Sequence, residues 1–403
     1  MSEFFQAVQI SERVYWVGAI DWNVRNFHGY TTDRGTTYNA FLILDEKVTL
    51  IDTVKAPFYD ELMARIRSVI DPAKIDYIVS NHAEMDHSGA LPMVIDAVKP
   101  EKIFASVIGE KNLKAHFGED LAITPVKTGD TLPLGKETIH FVETKMLHWP
   151  DSMISYLEES KILFSQDAFG MHLAGSRPYI DQYSRFVTEH EAKKYFANIL
   201  LHLSGKILEL LDALPGLKLD IRMIAPDHGP LYRKAEDIEW ILRLYREAAE
   251  QKMKPRALVL YATMWESTEK LARSLADGLA HGGLEVELSS LAAMERSAMI
   301  TEVLDSGIVA IGTPTMNNQM YPAMADIVTY LKGLKPRNHI GFAFGSYGWS
   351  GEGAKQVHAA LTEIGFEMPF EPLNVKYVPT LADLEKTYRT GVELAALLLA
   401  KTK

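Results

Sequence analysis

The sequence contains no cysteine. That excludes disulfides, thiolate metal sites, Cys-ligated iron–sulfur clusters and a Cys nucleophile, so any metal must be held by nitrogen and oxygen. No apolar run reaches 18 residues, so no membrane-spanning helix is expected. The first residues, "MSEFFQAVQISERVYWVG", lack the basic and apolar regions of a signal peptide, and a cytoplasmic protein is expected. An excess of basic charge is also missing. The net charge is -11 with no basic stripe, so nucleic acid is not an expected partner. Neither G-x-G-x-x-G nor a Walker lysine occurs, which weighs against a dinucleotide and a nucleoside triphosphate.

What is present fills 403 residues, too many for one typical core, so two domains are expected. From residue 40 to about 170, short β-type runs alternate with turns: "YNAFLILDEKVTLIDTV", "DYIVSNH", "KIFASV", "ETIHFVET", "KILFSQD". "LDEKV" reads as a hairpin turn, and several runs end in polar, ligand-type residues. From residue 182 to about 250 the pattern is helical, as in "EAKKYFANILLHLSGKILELLDAL". It resets at "EQKMKPRALVLYAT", which divides the chain into 1–253 and 254–403. The second part alternates "RALVLYAT", "LEVELSSL", "GIVAIGTPT", "IGFAFGSY" and "LNVKYVP" with helical segments. Five βα units predict a doubly wound, parallel, five-stranded sheet. That part holds 16 acidic and 14 basic side chains, a net of -2, so the first part carries -9.

The stretch "NHAEMDHSG" packs His82, Glu84, Asp86 and His87 into one loop after the run "DYIVS". His148 in "MLHWPDS", Asp167 in "LFSQDAFG" and His228 in "IAPDHGP" follow in similar contexts. Seven candidate ligands crowd one ion, but two ions sharing a carboxylate accommodate them. Four imidazoles and three carboxylates suit iron, manganese or zinc, and the carboxylates favour a harder, higher-coordinate ion than tetrahedral zinc. Asp52 is a candidate to orient a ligand histidine. The histidines at 116, 140, 172, 190, 202, 281, 339 and 358 show no partner pattern and read as structural or surface residues.

The order His-x-Glu-x-Asp-His, then His, Asp and His, resembles the metallo-β-lactamase fold. The hydrolase motif there is His-x-His-x-Asp-His, and here Glu84 stands at the second histidine. With a flavodoxin-like half after it, the chain resembles the flavodiiron proteins (A-type flavoproteins) over essentially its whole length. "DWNVRNFHGY", "GTTYNAF", "LHWPDSM", "YATMWESTEK" and "GSYGWSG" are similar too. The resemblance implies an αββα sandwich before the flavodoxin-like sheet. It implies a non-haem diiron centre with His82, Glu84 and His148 on one iron, Asp86, His87 and His228 on the other, and Asp167 bridging. Glu84 would then supply an anionic oxygen that favours ferric iron. His28 and Tyr195 resemble pocket residues that could donate a hydrogen bond to bound substrate.

In the second part, "TMWEST" joins the first strand to a helix, where an anion can sit on the helix N-terminus. Thr263, Met264, Trp265, Glu266, Ser267 and Thr268 make this loop, with three hydroxyls for a phosphate. Pro314, Thr315, Met316, Asn317 and Asn318 follow the third strand; Ser346, Tyr347, Gly348, Trp349, Ser350 and Gly351 follow the fourth. The hydroxyl-rich loop resembles flavodoxin sites for FMN, and Tyr347 or Trp349 could stack on its ring.

A metal pair and a flavin in one chain imply redox chemistry. Two irons and fully reduced FMN together hold four electrons; O2 needs four to become water, and coupling two NO to N2O needs two. The resemblance implies an oxidoreductase that reduces O2, NO or both, fed by an external donor. A separate rubredoxin, another flavoprotein or a reduced deazaflavin could serve, since no cysteine is available for a built-in rubredoxin. It also implies a head-to-tail homodimer, which could pair into a tetramer, with Trp149 and Trp349 as interface candidates. A dinuclear zinc hydrolase fused to a flavodoxin-like module is disfavoured by Glu84. An electron carrier with a non-catalytic first half is disfavoured by the intact ligand set. A purely structural protein explains neither cluster.

Overall fold

The structure, a computed structural model, describes residues 4–402; the reading of a missing leader rests partly on residues 1–3, which lie outside them. The chain forms two compact units. The first runs to Tyr195 and resumes over Leu203–Arg246; the second comprises Phe196–His202 and Glu247–Lys403.

The first unit is built on two sheets. One has seven strands, in the order Val8–Gln9, Val14–Trp16, Phe41–Ile43, Thr49–Ile51, Tyr77–Ser80, Lys102–Ser106, Thr124–Val126. The other has five, in the order Thr131–Pro133, Thr138–Glu143, Met153–Leu157, Ile162–Gln166, Met223–Pro226. Alternation of side chains explains their packing. Phe41, Ile43, Ile51 and Val79 share a core with Ile139, Phe141, Ile162 and Phe164, so the sheets face each other. Leu42, Leu50 and Ile78 point the other way and pack with Leu62 and Ile66 of helix Tyr59–Val69 and with Leu91 and Val94 of helix Leu91–Val98. Both faces are covered, which is why these strands read as continuous apolar runs. The expected hairpin is present, with Phe41 opposite Ile51.

Strand direction positions the site. Thr49–Ile51, Tyr77–Ser80 and Lys102–Ser106 run parallel. In the other sheet Ile162–Gln166 runs parallel to Met223–Pro226. Thr138–Glu143 has the same sense, being two antiparallel steps away. Strands of one sense deliver their C-terminal residues to one edge of each sheet.

The expected long helical stretch after residue 182 is interrupted. Helix Arg185–Tyr195 passes into a π-helical turn, Phe196–Leu200, and a 3-10 turn, Leu201–Leu203, before helix Ser204–Ala213. The interruption is tertiary. Phe196–His202 belongs to the second unit, where Asn198 Nδ2 donates to Ser297 O at 3.2 Å.

The second unit is a parallel sheet in the order Glu285–Ser290, Arg256–Tyr261, Ile308–Met316, Ile340–Tyr347, Leu373–Lys376, the doubly wound arrangement expected. A short strand, Gln319–Met320, adds antiparallel pairing to the end of the third. Helices Ser267–His281 and Leu381–Lys401 lie against each other on one face. Their approach requires glycine: a Cβ on Gly278 would lie 2.0 Å from the Tyr388 carbonyl oxygen. No helix among the described residues is long and apolar enough to cross a membrane.

Candidate metal centre and flavin cavity

All seven expected ligands gather at the C-terminal edge of the sandwich. The loop after Tyr77–Ser80 carries His82 and Glu84, then turns into a short helix, Met85–Ser88, that carries Asp86 and His87. Asp167 follows Ile162–Gln166, His228 follows Met223–Pro226, and His148 lies in the loop after Thr138–Glu143. Two groups form, His82, Glu84, His148 and Asp167, and Asp86, His87 and His228, with ligand-type atoms within 4.8 Å of one another in each. Asp167 faces both. Its Oδ2 lies 2.9 Å from His148 Nε2 and 3.4 Å from His82 Nε2; its Oδ1 lies 3.1 Å from His87 Nε2 and 3.4 Å from His228 Nε2.

The donor set fits two hard metal ions. Asp86 Oδ2 is 3.0 Å from His228 Nε2 and 3.1 Å from His87 Nε2, yet neither contact has hydrogen-bond alignment and both Asp86 oxygens are buried without a partner. Lone pairs aimed past one another at a common centre give this geometry. Each group offers nitrogen and carboxylate oxygen only, as iron accepts.

Electrostatics tell the same story. Burial raises the carboxyls of Asp86, Asp167 and Glu84, but the surrounding imidazoles outweigh it and hold all three well below the usual range. Burial lowers His82, but Asp151, Glu84 and Asp167 push it well up; His148 likewise reaches about 9 through Asp167 and Glu84. These carboxylates therefore stay anionic, ready to hold cations.

His28 Nε2 contacts Glu84 Oε1 at 2.6 Å, from a left-handed backbone position (φ 52°). Tyr195 is fully buried, its hydroxyl without a hydrogen-bond partner and its ring 5.2 Å from that of His172. Burial pushes its phenol well up, so it stays protonated. Phe27 packs edge-on against His28, His172 and His228 and walls the site with apolar surface.

Several neighbours were not legible in sequence. Asp52 does not touch a ligand histidine: its oxygens accept from Asn81 N (2.7 Å) and Asn81 Nδ2 (2.8 Å), fixing the strand end before His82. The carboxylate on His82 is Asp151, with Oδ2 3.0 Å from His82 Nδ1. It lies three residues beyond His148 in "LHWPDSM", the one signal available. His172 is not a bystander. It is buried at the site, with Nδ1 2.8 Å from Thr36 Oγ1 and its ring 4.5 Å from that of His228. Trp149 sets its ring at 90° to His82, 5.2 Å away.

In the second unit the expected loops surround a cavity of about 430 Å³. Met264, Trp265, Ser267, Pro314, Thr315, Ser346, Tyr347, Gly348 and Trp349 line it, joined by Tyr377 and Val378. Those two follow the fifth strand, Leu373–Lys376, so the strand-end rule that marked the other loops reaches them as well. Thr263, Glu266, Thr268, Met316, Asn317, Asn318, Ser350 and Gly351 stand beside the cavity without lining it. Thr268 is in the first turn of helix Ser267–His281. Pro314, Thr315 and Met316 end the third strand and Ser346 and Tyr347 the fourth, rather than following them, because strand pairing runs on past the apolar runs. Thr268 Oγ1 is hydrogen-bonded to Ser346 Oγ (2.9 Å), tying the first loop to the third. The cavity fits FMN. Helix Ser267–His281 begins beside it with no side-chain cap, and Thr263 Oγ1 is buried without a partner, leaving donors for a phosphate. Trp265 and Trp349 are 85% and 83% exposed, available to cover a flat ring.

Residues 36–229 match the model of the ODP family beta lactamases, and residues 259–391 that of the flavodoxins. The chain is 46% identical to the rubredoxin-oxygen oxidoreductase of Megalodesulfovibrio gigas, over 98% of this chain and 99% of that one. The flavodiiron protein of Giardia intestinalis superposes with a TM-score of 0.94 at 33% identity, over 100% of this chain and 98% of that one. The chain belongs to the flavodiiron proteins. A further member-like relative is the nitric oxide reductase of Moorella thermoacetica, 43% identical over 97% of this chain and 98% of that one. Membership in the flavodiiron proteins identifies the cofactors as FMN and a non-haem diiron centre, which the two donor sets above accommodate.

Proposed function

We propose that this flavodiiron protein reduces O2 to water, NO to N2O, or both, with electrons passing from an external donor through FMN to the diiron site. One observation carries this: Asp167 offers one oxygen to each of two donor groups, and each group has its own terminal carboxylate, Glu84 or Asp86. A zinc hydrolase does not need that much negative charge; ferric iron is stabilised by it. When bound, the irons supply one-electron reduction at a coordinated substrate and FMN supplies a store of two further electrons.

The chain's own residues supply placement. His82, Glu84, His148 and Asp167 would hold one iron, and Asp86, His87, His228 and Asp167 the other. His28, within hydrogen-bond reach of one oxygen of Glu84, would donate a proton to bound substrate. Tyr195, a buried phenol, presents a proton toward the pocket beside His228, and Phe27 keeps bulk water out. Such a dry pocket strengthens every contact to developing charge on oxygen. In the second unit, Thr263, Ser267 and the start of helix Ser267–His281 would bind the phosphate of FMN. Tyr347, Trp349 and Tyr377 would flank its ring, and the strand ends and loops over Pro314–Asn318 and Ser346–Gly351 would frame it.

The donor is a separate rubredoxin on this reading, as the name of the Megalodesulfovibrio gigas relative suggests. The functional boundary lies near residue 253, and the protein works in the cytoplasm. The assembly is a head-to-tail homodimer in which FMN of one chain serves the diiron site of the other; the exposed indoles of Trp265 and Trp349 form an apolar rim suited to it. Mixing Asp167→Ala protein with a Thr263/Ser267/Thr268 triple variant would restore part of the turnover if electrons cross between chains. No recovery despite proven subunit exchange would rule that arrangement out. Substrate choice is tested by anaerobic turnover of the reduced protein with O2 and NO in parallel. Consumption of neither by iron- and FMN-loaded protein would overturn the activity.

A further inference from the structure

The two donor groups are matched in composition. Each has two imidazoles and one terminal carboxylate, and each faces one oxygen of Asp167. The charge of the ligands therefore makes no difference between two bound irons. The difference lies behind them. His82 Nδ1 is 3.0 Å from Asp151 Oδ2, a buried carboxylate. His228 Nδ1 is 2.7 Å from the carbonyl oxygen of Thr37, a neutral acceptor. His87 Nδ1 has no hydrogen bond; Asp227 Oδ2 stands 3.6 Å away, and neither Asp227 oxygen is hydrogen-bonded.

Asp151, by contrast, is fixed from several sides. Its Oδ2 also accepts from Ala83 N at 2.7 Å, its Oδ1 accepts from Asn112 Nδ2 at 3.0 Å, and its carbonyl accepts from Ser106 Oγ at 2.6 Å. A carboxylate acceptor on Nδ1 fixes the tautomer that leaves Nε2 free for metal and makes the imidazole a stronger electron donor than a carbonyl acceptor does.

We infer that Asp151 is a positioning residue that makes the iron held by His82 the more electron-rich of the pair, so that this iron accepts its electron at the lower potential. The inference rests on the diiron reading and adds an order of filling to it. His28, which contacts Glu84 on the same side, is unchanged in the variants below and drops out of the comparison.

Asp151→Asn isolates the charge. The amide oxygen can replace Oδ2 and still accept from His82 Nδ1 and Ala83 N. The amide nitrogen then faces Asn112, whose own amide can turn to accept. The experiment is an anaerobic redox titration of the iron- and FMN-loaded protein, followed by the electron paramagnetic resonance of the half-reduced iron pair, after iron has been counted. Two irons per chain are expected in both proteins. In Asp151→Asn one iron step should rise at least tenfold in its equilibrium constant, about 59 mV for one electron, and the other by less than half of that. Asn112→Ala removes a donor from Oδ1, leaves more charge on the carboxylate and should move the same step down. Retention of two irons with both steps unmoved, or moved equally, overturns the inference. If Asp151→Asn loses iron, Asn112→Ala alone decides, and an unmoved or rising step there overturns it. Wild-type protein without iron would sink the diiron reading itself, a separate failure visible before any titration.

Discussion

His28 Nε2 lies 2.6 Å from Glu84 Oε1, so one oxygen of Glu84 is held outside the metal cluster while Oε2 stays 3.3 Å from both His82 Nε2 and His148 Nε2. His28 is thus tied to Glu84, a member of one donor group, without belonging to either group itself. His28→Ala should keep both irons and lower kcat by about a hundredfold, the low end for a lost proton donor. Iron content and turnover measured on one preparation check this. Loss of iron would mean that His28 anchors Glu84 and has no further part.

Asp167 differs from every other ligand in facing both groups. Asp167→Ala should therefore empty both positions, whereas His148→Ala should leave the position of Asp86, His87 and His228 filled. Metal counted per chain in the two variants separates them. Full retention of two irons by Asp167→Ala would refute a shared carboxylate.

Tyr377 lines the flavin cavity and is 61% exposed. An aromatic contact of this kind contributes on the order of 1 kcal/mol. Tyr377→Ala should weaken FMN binding roughly fivefold to tenfold, read by fluorescence quenching of FMN titrated into flavin-free protein. An unchanged Kd would remove Tyr377 from the flavin contacts.

His339 is buried in the second unit, with Nδ1 2.8 Å from the carbonyl oxygen of Ser306. Burial brings its pKa down to about 4. The unfolded chain, near 6.5, binds the proton first, so stability from a neutral His339 is complete above pH 6.5 and is lost as pH falls toward 4. The full loss is at most about 3 kcal/mol. His339→Asn, which cannot titrate, should be less stable than wild type at pH 7, with the gap closing by pH 5. Urea midpoints at the two pH values measure it; a constant gap would contradict the assignment.

What the sequence disclosed and what it hid divide along a physical line. Ligands at strand ends, from His82 to His228, stand in local contexts that mark them, because a strand that stops in a polar loop does so within a few residues. The five βα units carry their periodicity in the same local way. Asp151 and His172 act through residues distant in the chain; only the nearness of Asp151 to His148 in "LHWPDSM" hints at its part, and nothing near His172 announces its own. The break after Tyr195 is hidden for the same reason: "YFANILLHL" has helical spacing, but Asn198 bonds to Ser297, and tertiary contact overrides local preference. Asp52 departs from expectation because a carboxylate at a strand end can hold its neighbouring Asn81 as readily as a histidine.

The central claim is that one chain stores four electrons, two on iron and two on FMN, for use at one site. The direct measurement titrates fully reduced, iron- and FMN-counted protein with limiting O2 under anaerobic conditions, following flavin absorbance and assaying peroxide. The account predicts that one O2 per chain reoxidises both flavin and iron, with water as the product and no peroxide. Two O2 per chain with stoichiometric peroxide, or flavin oxidised at the same rate in iron-free protein, would contradict it.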